Sequence, residues 1–199
     1  MLRKSKPSPQ NQGFTLIELM IAILLAAIVI GATMAFLFST VKSNIENIKM
    51  TRMNQELRAV MTLMTDEIKR AGFSTAASGA SAMIDELAWN AGDDCLSYAY
   101  QTTSVADPTV SVKSFKLDSG SGVILYNEGN SGLCGGTALN DPDIVSVTDF
   151  ETEIVFPGFG GASLAQVTVS LAGQTLHRGS VLSERTITEV IRVRNELPQ

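Results

Sequence analysis

Twenty consecutive residues, Leu19–Phe38, carry no charge, and the hexad Gly13-Phe14-Thr15-Leu16-Ile17-Glu18 precedes them. At ~1.5 Å per residue such a run makes ~30 Å of helix, enough to cross the hydrocarbon core of a bilayer. One carboxylate, Glu18, stands at its edge, four residues after Phe14. Acidic residues are expensive in a membrane and usually need a partner there. A helix that only anchors does not need Glu18, so the residue points to a second task.

The helical pattern continues beyond the apolar run. No proline or glycine occurs from Ser39 to Ala71, and Gly72 is a good stop signal. Met50, Met53, Leu57, Val60, Met61, Met64, Ile68 and Ala71 recur at intervals of three and four, the signature of one buried helical face. Val41, Ile45 and Ile48 form a second set in another phase, with the offset near Lys49–Arg52. Two stripes predict two tasks: the later packs on the chain's own domain, and the earlier faces other chains. A single stripe on a curved helix is the alternative. The methionines read as core filler.

Phe14 to Ala71 thus predicts one helix ~87 Å long. Its own domain can cover only the second half. The first half must find lipid or other helices, which is the physical argument for polymerisation.

After Gly72 the pattern changes. Ser74–Ala82 reads as a loop. Leu96, Tyr98 and Tyr100 alternate with Ser97, Ala99 and Gln101, as in a half-buried strand. Val110 and Val112 alternate, and the phase then slips before Phe115 and Leu117, which predicts a bulge. Asp118–Gly122 reads as a hairpin turn into Val123–Tyr126. Further runs lie at Ile144–Val147, Glu153–Phe156, Val167–Leu171 and Thr186–Val193; in the last, Ile187, Ile191 and Val193 share a face that Glu189 interrupts. The fold class expected is α+β: a long N-terminal helix packed on an antiparallel sheet.

Composition adds direction. The chain has 199 residues, 45% of them hydrophobic, with a formal net charge of −5. Residues 1–13 carry Arg3, Lys4 and Lys6 and no acid, so a chain beginning at Phe14 has a charge of −8. That disfavours nucleic acid as a partner, since phosphate binding needs clustered Lys and Arg. The leader cations keep the N-terminus in the cytoplasm. The leader itself, polar and broken by Pro7 and Pro9, is a targeting segment outside the fold. An ordinary secretory signal cleaved near Thr33-Met34-Ala35 fits the basic start. Against it, the apolar run is too long and Glu18 interrupts it. A plain anchor accounts for the length alone.

Cys95 and Cys134 are the only cysteines, both in the part expected to be exported. An oxidising compartment favours a disulfide between them, with two buried thiols as the alternative. The loop closed, of ~40 residues, would contribute about 4 kcal/mol in the chain-entropy account.

Nothing spells catalysis. The single histidine, His177, lies beside Arg178 and Gly179 in an expected turn, without a Gly-x-Ser-x-Gly elbow. Asp93-Asp94, Asp141, Asp143, Asp149 and Glu151 do not fit a calcium-loop spacing and read as solvated loop acids. Gly158, Gly160 and Gly161 around Phe159 read as a turn, and no cofactor or metal motif is present. Arg178, Arg185, Arg192 and Arg194 form a basic group in the last quarter, read first as solvated strand surface.

The N-terminal spelling resembles the type IV pilin superfamily: a short basic leader, Gly, Phe-Thr-Leu-x-Glu and a long apolar helix, all in order. The resemblance implies cleavage by a prepilin peptidase between Gly13 and Phe14, N-methylation of Phe14, and pairing of Glu18 with the Phe14 amine of a neighbouring subunit. Major pilins of this family often carry a helix-kinking proline late in the apolar run. Here Ala35 stands in that place, leaving Gly31 as the only weak point. Asp94–Tyr100 and Val190–Asn195 are similar to segments of PilW-type minor pilins.

The resemblance implies a leader at 1–13, a helix at 14–72 whose residues 14–38 span the membrane or form filament core, and an exported β-rich domain at 73–199. It implies a non-catalytic minor pilin that helps initiate or cap a type IV pilus. Its partners would be prepilin peptidase, other minor and major pilins, the inner-membrane assembly platform and, before assembly, membrane lipid. It would sit in the inner membrane with a periplasmic domain, then in the pilus. A J-type pseudopilin of type II secretion and a pilus-borne adhesin or DNA-binding module are the alternatives.

Overall fold

The computed structural model describes residues 13–73, 87–101, 110–129, 134–156, 164–177 and 179–196, without the side chains of 164 and 194–196. The leader at 1–12, the loop at 74–82, the glycine turn at 158–161, Arg178 and the Arg194 side chain lie outside the described residues. The chain divides into two compact units, residues 1–45 and 46–199.

Helix α1 runs from Leu16 to Ile68 without a break at Gly31. It is long and apolar enough to cross a membrane. Its large side chains from Leu16 to Phe38 are exposed; even the least exposed of them, Met34, is 51% accessible. Thr33 and Thr40 bond back onto the helix, Thr33 Oγ1 donating to Ile30 O at 2.9 Å and Thr40 Oγ1 to Phe36 O at 3.0 Å. Neither hydroxyl therefore needs water or a partner chain. Val41, Ile45 and Ile48 are also exposed, whereas Met53, Leu57, Val60, Met61, Met64 and Ile68 are buried. The change of stripe read in the sequence is a change from exposed to buried apolar side chains.

The described residues of 46–199 hold two antiparallel sheets where the sequence suggested one. The first has the order β1-β2-β3-β4-β5: β1 (Ala88–Asn90), β2 (Cys95–Gln101), β3 (Val110–Asp118), β4 (Val123–Asn127) and β5 (Thr137–Ala138). The second has β6 (Ser146–Val155), β7 (Leu164–His177) and β8 (Ser180–Glu196) in order. A single core joins Leu57, Met64 and Ile68 of the helix to Tyr98, Phe115 and Ile124 of one sheet and Val169, Leu171 and Ile191 of the other.

The bulge expected in β3 is absent. Its pairing with β2 runs unbroken from Gln101↔Val110 to Cys95↔Lys116. The apolar phase slips because Lys113, not Val112, occupies the inner phase with Phe115 and Leu117. Its cationic end has a buried partner, described below.

Strand β6 merges two runs that the sequence separates. Val147 and Phe150 are three residues apart and both join the same core, whereas a regular strand would point them to opposite faces. A register shift between Val147 and Asp149 supplies the extra residue, Thr148.

Strand β2 is buried on both faces, including Ala99 and Gln101. The chain after the helix lies along it, Gly72 N donating to Ala99 O and Gln101 N to Phe73 O. The N–H of Cys134 donates to the buried hydroxyl of Ser114 in the neighbouring β3 at 3.0 Å.

Gly173 of β7 packs against Leu57 of the helix. A Cβ there would lie 2.9 Å from side-chain atoms of both Leu57 and Val145. Glycine lets Leu57 press onto the strand.

Candidate functional site

At the N-terminus of the described chain, Gly13 has open space where a Cβ would go, so nothing among the described residues requires glycine there. Phe14 is 86% exposed. Thr15 and Glu18 then close a reciprocal cap. Glu18 N donates to Thr15 Oγ1 at 3.3 Å, while Thr15 N and Oγ1 both donate to Glu18 Oε2 at 3.5 Å. This is a capping box, and it satisfies backbone donors of the first turn. A carboxylate in the first turn also complements the helix dipole. Glu18 therefore has a local task in the isolated chain. Thr15 was passed over in the sequence, although Thr-x-x-Glu before an apolar run is the sequence signal for such a box.

The second constellation, also unread in the sequence, surrounds Glu67. Helical spacing puts Glu67 in the buried stripe between Met64 and Ala71. Its Oε2 accepts from the hydroxyls of Tyr98, Tyr100 and Tyr126, each at 3.2 Å, and from Lys113 Nζ at 3.4 Å. Arg70 reaches Oε1 at 3.3 Å. Lys113 Nζ donates to Tyr126 Oη at 2.9 Å and lies over the Tyr100 and Tyr126 rings. The donors come from β2, β3 and β4, so one helical carboxylate binds three adjacent strands. Sequence signals existed: an acid in an apolar stripe and a lysine in the inner phase of a strand.

Burial, then the neighbouring Tyr126 and Glu67, pushes the Tyr98 hydroxyl well above its ordinary pKa. Burial also raises Tyr126. Burial by itself would lower Lys113, but its bonds to Tyr100 and Tyr126 and the Glu67 charge together outweigh that and raise it. The Tyr100 hydrogen bond, then Glu67, raises Arg70. The cluster favours the charged form of Lys113 and the neutral forms of Tyr98 and Tyr126. It fixes helix to sheet and offers no activated nucleophile.

Cys95 and Cys134 are bonded to each other. The bridge ties the start of β2 to the segment leading into β5. His177 ends β7, where its carbonyl accepts from Ser180 Oγ at 3.0 Å. Arg185 and Arg192 are both exposed on β8, but an odd spacing puts them on opposite faces. They do not form one patch. Asp141 accepts the backbone N–H of Asp143 at 3.0 Å, and its own N–H donates to Glu56 of the helix.

Residues 46–193 match the family described as prepilin peptidase-dependent protein B. Residues 8–34 match the prokaryotic N-terminal methylation motif. No curated protein and no solved structure matches the chain. With the N-terminal motif, the exposed apolar helix and the helix-on-sheet fold in place, the chain belongs to the prepilin peptidase-dependent protein B family and is a minor-pilin-like member of the type IV pilin superfamily.

Proposed function

We propose that the protein is a minor pilin that helps initiate or cap a type IV pilus. The observation that carries this is the contrast along one helix: the side chains of Leu16–Phe38 are exposed, while the stripe from Met53 to Ile68 is buried. About 20 apolar residues without cover need lipid or the helices of other pilins.

In this reading prepilin peptidase cuts between Gly13 and Phe14, and Phe14 is N-methylated. The open space at Gly13 supports this, because the described chain gives no other reason for glycine. Residues 14–38 sit in lipid before assembly and in the filament core afterwards. The domain from 73 to 199 faces the periplasm, and the inner-membrane assembly platform hands the subunit to its pilin neighbours. Glu18 meets the Phe14 amine of the adjacent subunit. The finer likeness to PilW-type minor pilins rests on the short runs Asp94–Tyr100 and Val190–Asn195.

The test is a strain lacking this chain, scored for surface pili and for secreted enzymes in parallel. The reading expects pili to be reduced and restored by the intact chain, with secretion unaffected. Lost secretion with normal pili would instead assign the chain to a type II secretion pseudopilus. N-terminal mass analysis of the mature protein should show a methylated Phe14; a start near Phe36 would overturn the processing step.

A further inference from the structure

Strands β7 and β8 meet in a tight turn. Leu176 pairs with Val181 and His177 with Ser180 across it, and Gly179 in the turn has a φ of 80°. Leu176 is 43% exposed and Val181 55%, whereas Val167, Val169 and Leu171 of β7 are fully buried. Opposed residues of antiparallel strands share a face, so two large apolar side chains stand together in solvent at the end of a hairpin. We propose that this hairpin tip is a second membrane contact, resting on the phospholipid headgroups beside the span.

Two contacts, both within residues 46–199, give the tip its direction. Gly173 of β7 packs against Leu57, and three residues later the Leu176 carbonyl accepts from Lys49 Nζ at 3.1 Å. From Leu57 to Lys49 the helix goes back ~12 Å, while β7 advances ~10 Å. The strand therefore runs alongside the helix toward its N-terminal end, and the turn lies beyond Lys49 on that side. That is the end at which the chain enters the bilayer. The apolar run closes at Phe38, and residues 39–45 alone connect it to the unit that begins at Glu46. As helix this connection reaches ~10 Å, against a headgroup layer ~5–7 Å thick on each side of the hydrocarbon. So short a tether holds the tip at the bilayer surface.

Charge and polarity fit a lipid surface. A chain beginning at Phe14 carries −8, so an anionic leaflet repels the domain as a whole. No acid occurs from Leu164 to Ser183, the stretch that contains the tip, and Lys49 stands against it. The tip is thus the part that can approach anionic lipid without meeting like charge. Exposed apolar groups hold to a lipid surface in proportion to the apolar area they bury there. Val190 of β8 is as exposed as Val181, but it faces Thr168 and forms no such pair. Single exposed apolar residues are ordinary, whereas Leu176 and Val181 are paired and aimed at the bilayer. That aim selects lipid over a protein partner as the occupant.

The proposal rests on the apolar run spanning a bilayer, and not on a role in a pilus. The full chain is placed in vesicles of phosphatidylcholine and phosphatidylglycerol, with a dye on Ser180→Cys. The native cysteines are bonded to each other, so the dye enters at the new thiol. Val155→Cys, opposite Gln166 at the far end of the sheet, is the distant reference, and Leu24→Cys reports the span. A nitroxide on the lipid headgroup should quench the dye at 180 and leave the dye at 155 bright. A nitroxide deep in the acyl chain should quench the dye at 24. Leu176→Ser/Val181→Ser should lower the quenching at 180 and leave that at 24 unchanged, with circular dichroism confirming the fold. If the dye at 24 escapes the acyl-chain nitroxide, the span is wrong and the proposal falls with it. If that dye is quenched while headgroup quenching at 180 is no greater than at 155, the span stands and this proposal is overturned. Unaltered quenching in the double variant overturns it as well.

Discussion

Lys113 Nζ lies 3.4 Å from Glu67 Oε2, with both side chains nearly buried, at 14% and 11% exposure. A buried ion pair is weak evidence for stability by itself, since desolvation offsets much of the attraction. Here three tyrosine hydroxyls converge on the same oxygen, so the pair is also hydrogen-bonded. Removing one partner leaves the other buried without a counter-charge. Glu67→Gln should therefore cost about 3–5 kcal/mol, and adding Lys113→Met should restore part of it. Urea denaturation of the full chain in detergent, followed by near-ultraviolet circular dichroism, measures both. Simple additivity of the two single costs would show that the pair is not coupled.

The same cluster sets an alkaline limit. Folding raises the pKa of Lys113 and of Tyr98 and Tyr126. Unfolded tyrosine and lysine lose their protons near pH 10 to 10.4, so below about pH 9 both states hold these protons and the groups contribute fully. Above about pH 10 the unfolded chain binds fewer protons than the folded one, and stability falls as pH rises toward the folded values. The urea midpoint should drop between about pH 8 and about pH 10.5, with a smaller drop in Tyr98→Phe. A midpoint flat over that range would contradict the assignment.

The Cys95–Cys134 bridge spans a sequence separation of 39. Replacing both cysteines by serine should cost about 4 kcal/mol, chiefly by freeing the unfolded chain. Cys95 is 1% exposed while Cys134 is partly exposed, so a reductant attacks at the Cys134 sulfur and Cys95 is left as the buried thiol. With reductant present, labelling in buffer should reach Cys134 before Cys95, and in urea both alike. Equal rates at the two cysteines in buffer would mean that Cys95 lies open to solvent in the folded chain.

The helix and its two stripes were legible because an uncharged run from Leu19 to Phe38, followed by apolar residues spaced three and four apart to Ala71 with no proline or glycine, admits few other readings. The hairpin at Asp118–Gly122 was legible for a local reason: Gly122, at φ 69°, needs the freedom of glycine, and its N–H bonds Asp118 O at 2.8 Å. The partition into two sheets was not legible. It depends on long-range pairing and on an inserted Thr148 that polar composition disguises. Lys113 misled for a related reason. Alternation marks the inner face by apolarity, and a lysine there is intelligible only once Glu67, 46 residues earlier, is known to face it. At the N-terminus, Glu18 reads from its position as an assembly residue, and in the folded chain it also closes a cap with Thr15.

That second task sharpens the last prediction. In the isolated chain Glu18 caps its own helix through Thr15, an arrangement worth about 1 kcal/mol. In the proposed filament the same carboxylate pairs with a neighbour's Phe14 ammonium, and only one axial offset between helices brings the two together. Charge and cap separate by substitution. Thr15→Val removes the cap and keeps the carboxylate. Glu18→Gln keeps an acceptor oxygen for the cap and removes the charge. Glu18→Ala removes both. All three should insert in the membrane and lose the leader, since Thr15→Val adds no charge and losing the Glu18 charge only eases insertion. Thr15→Val should still crosslink to partner pilins and support pili, whereas Glu18→Gln and Glu18→Ala should both fail. The measurements are pilus counts and partner crosslinking at native expression, with N-terminal mass analysis as the processing control. If glutamine rescues assembly and Thr15→Val abolishes it, the carboxylate serves the cap, and the intersubunit pairing is wrong.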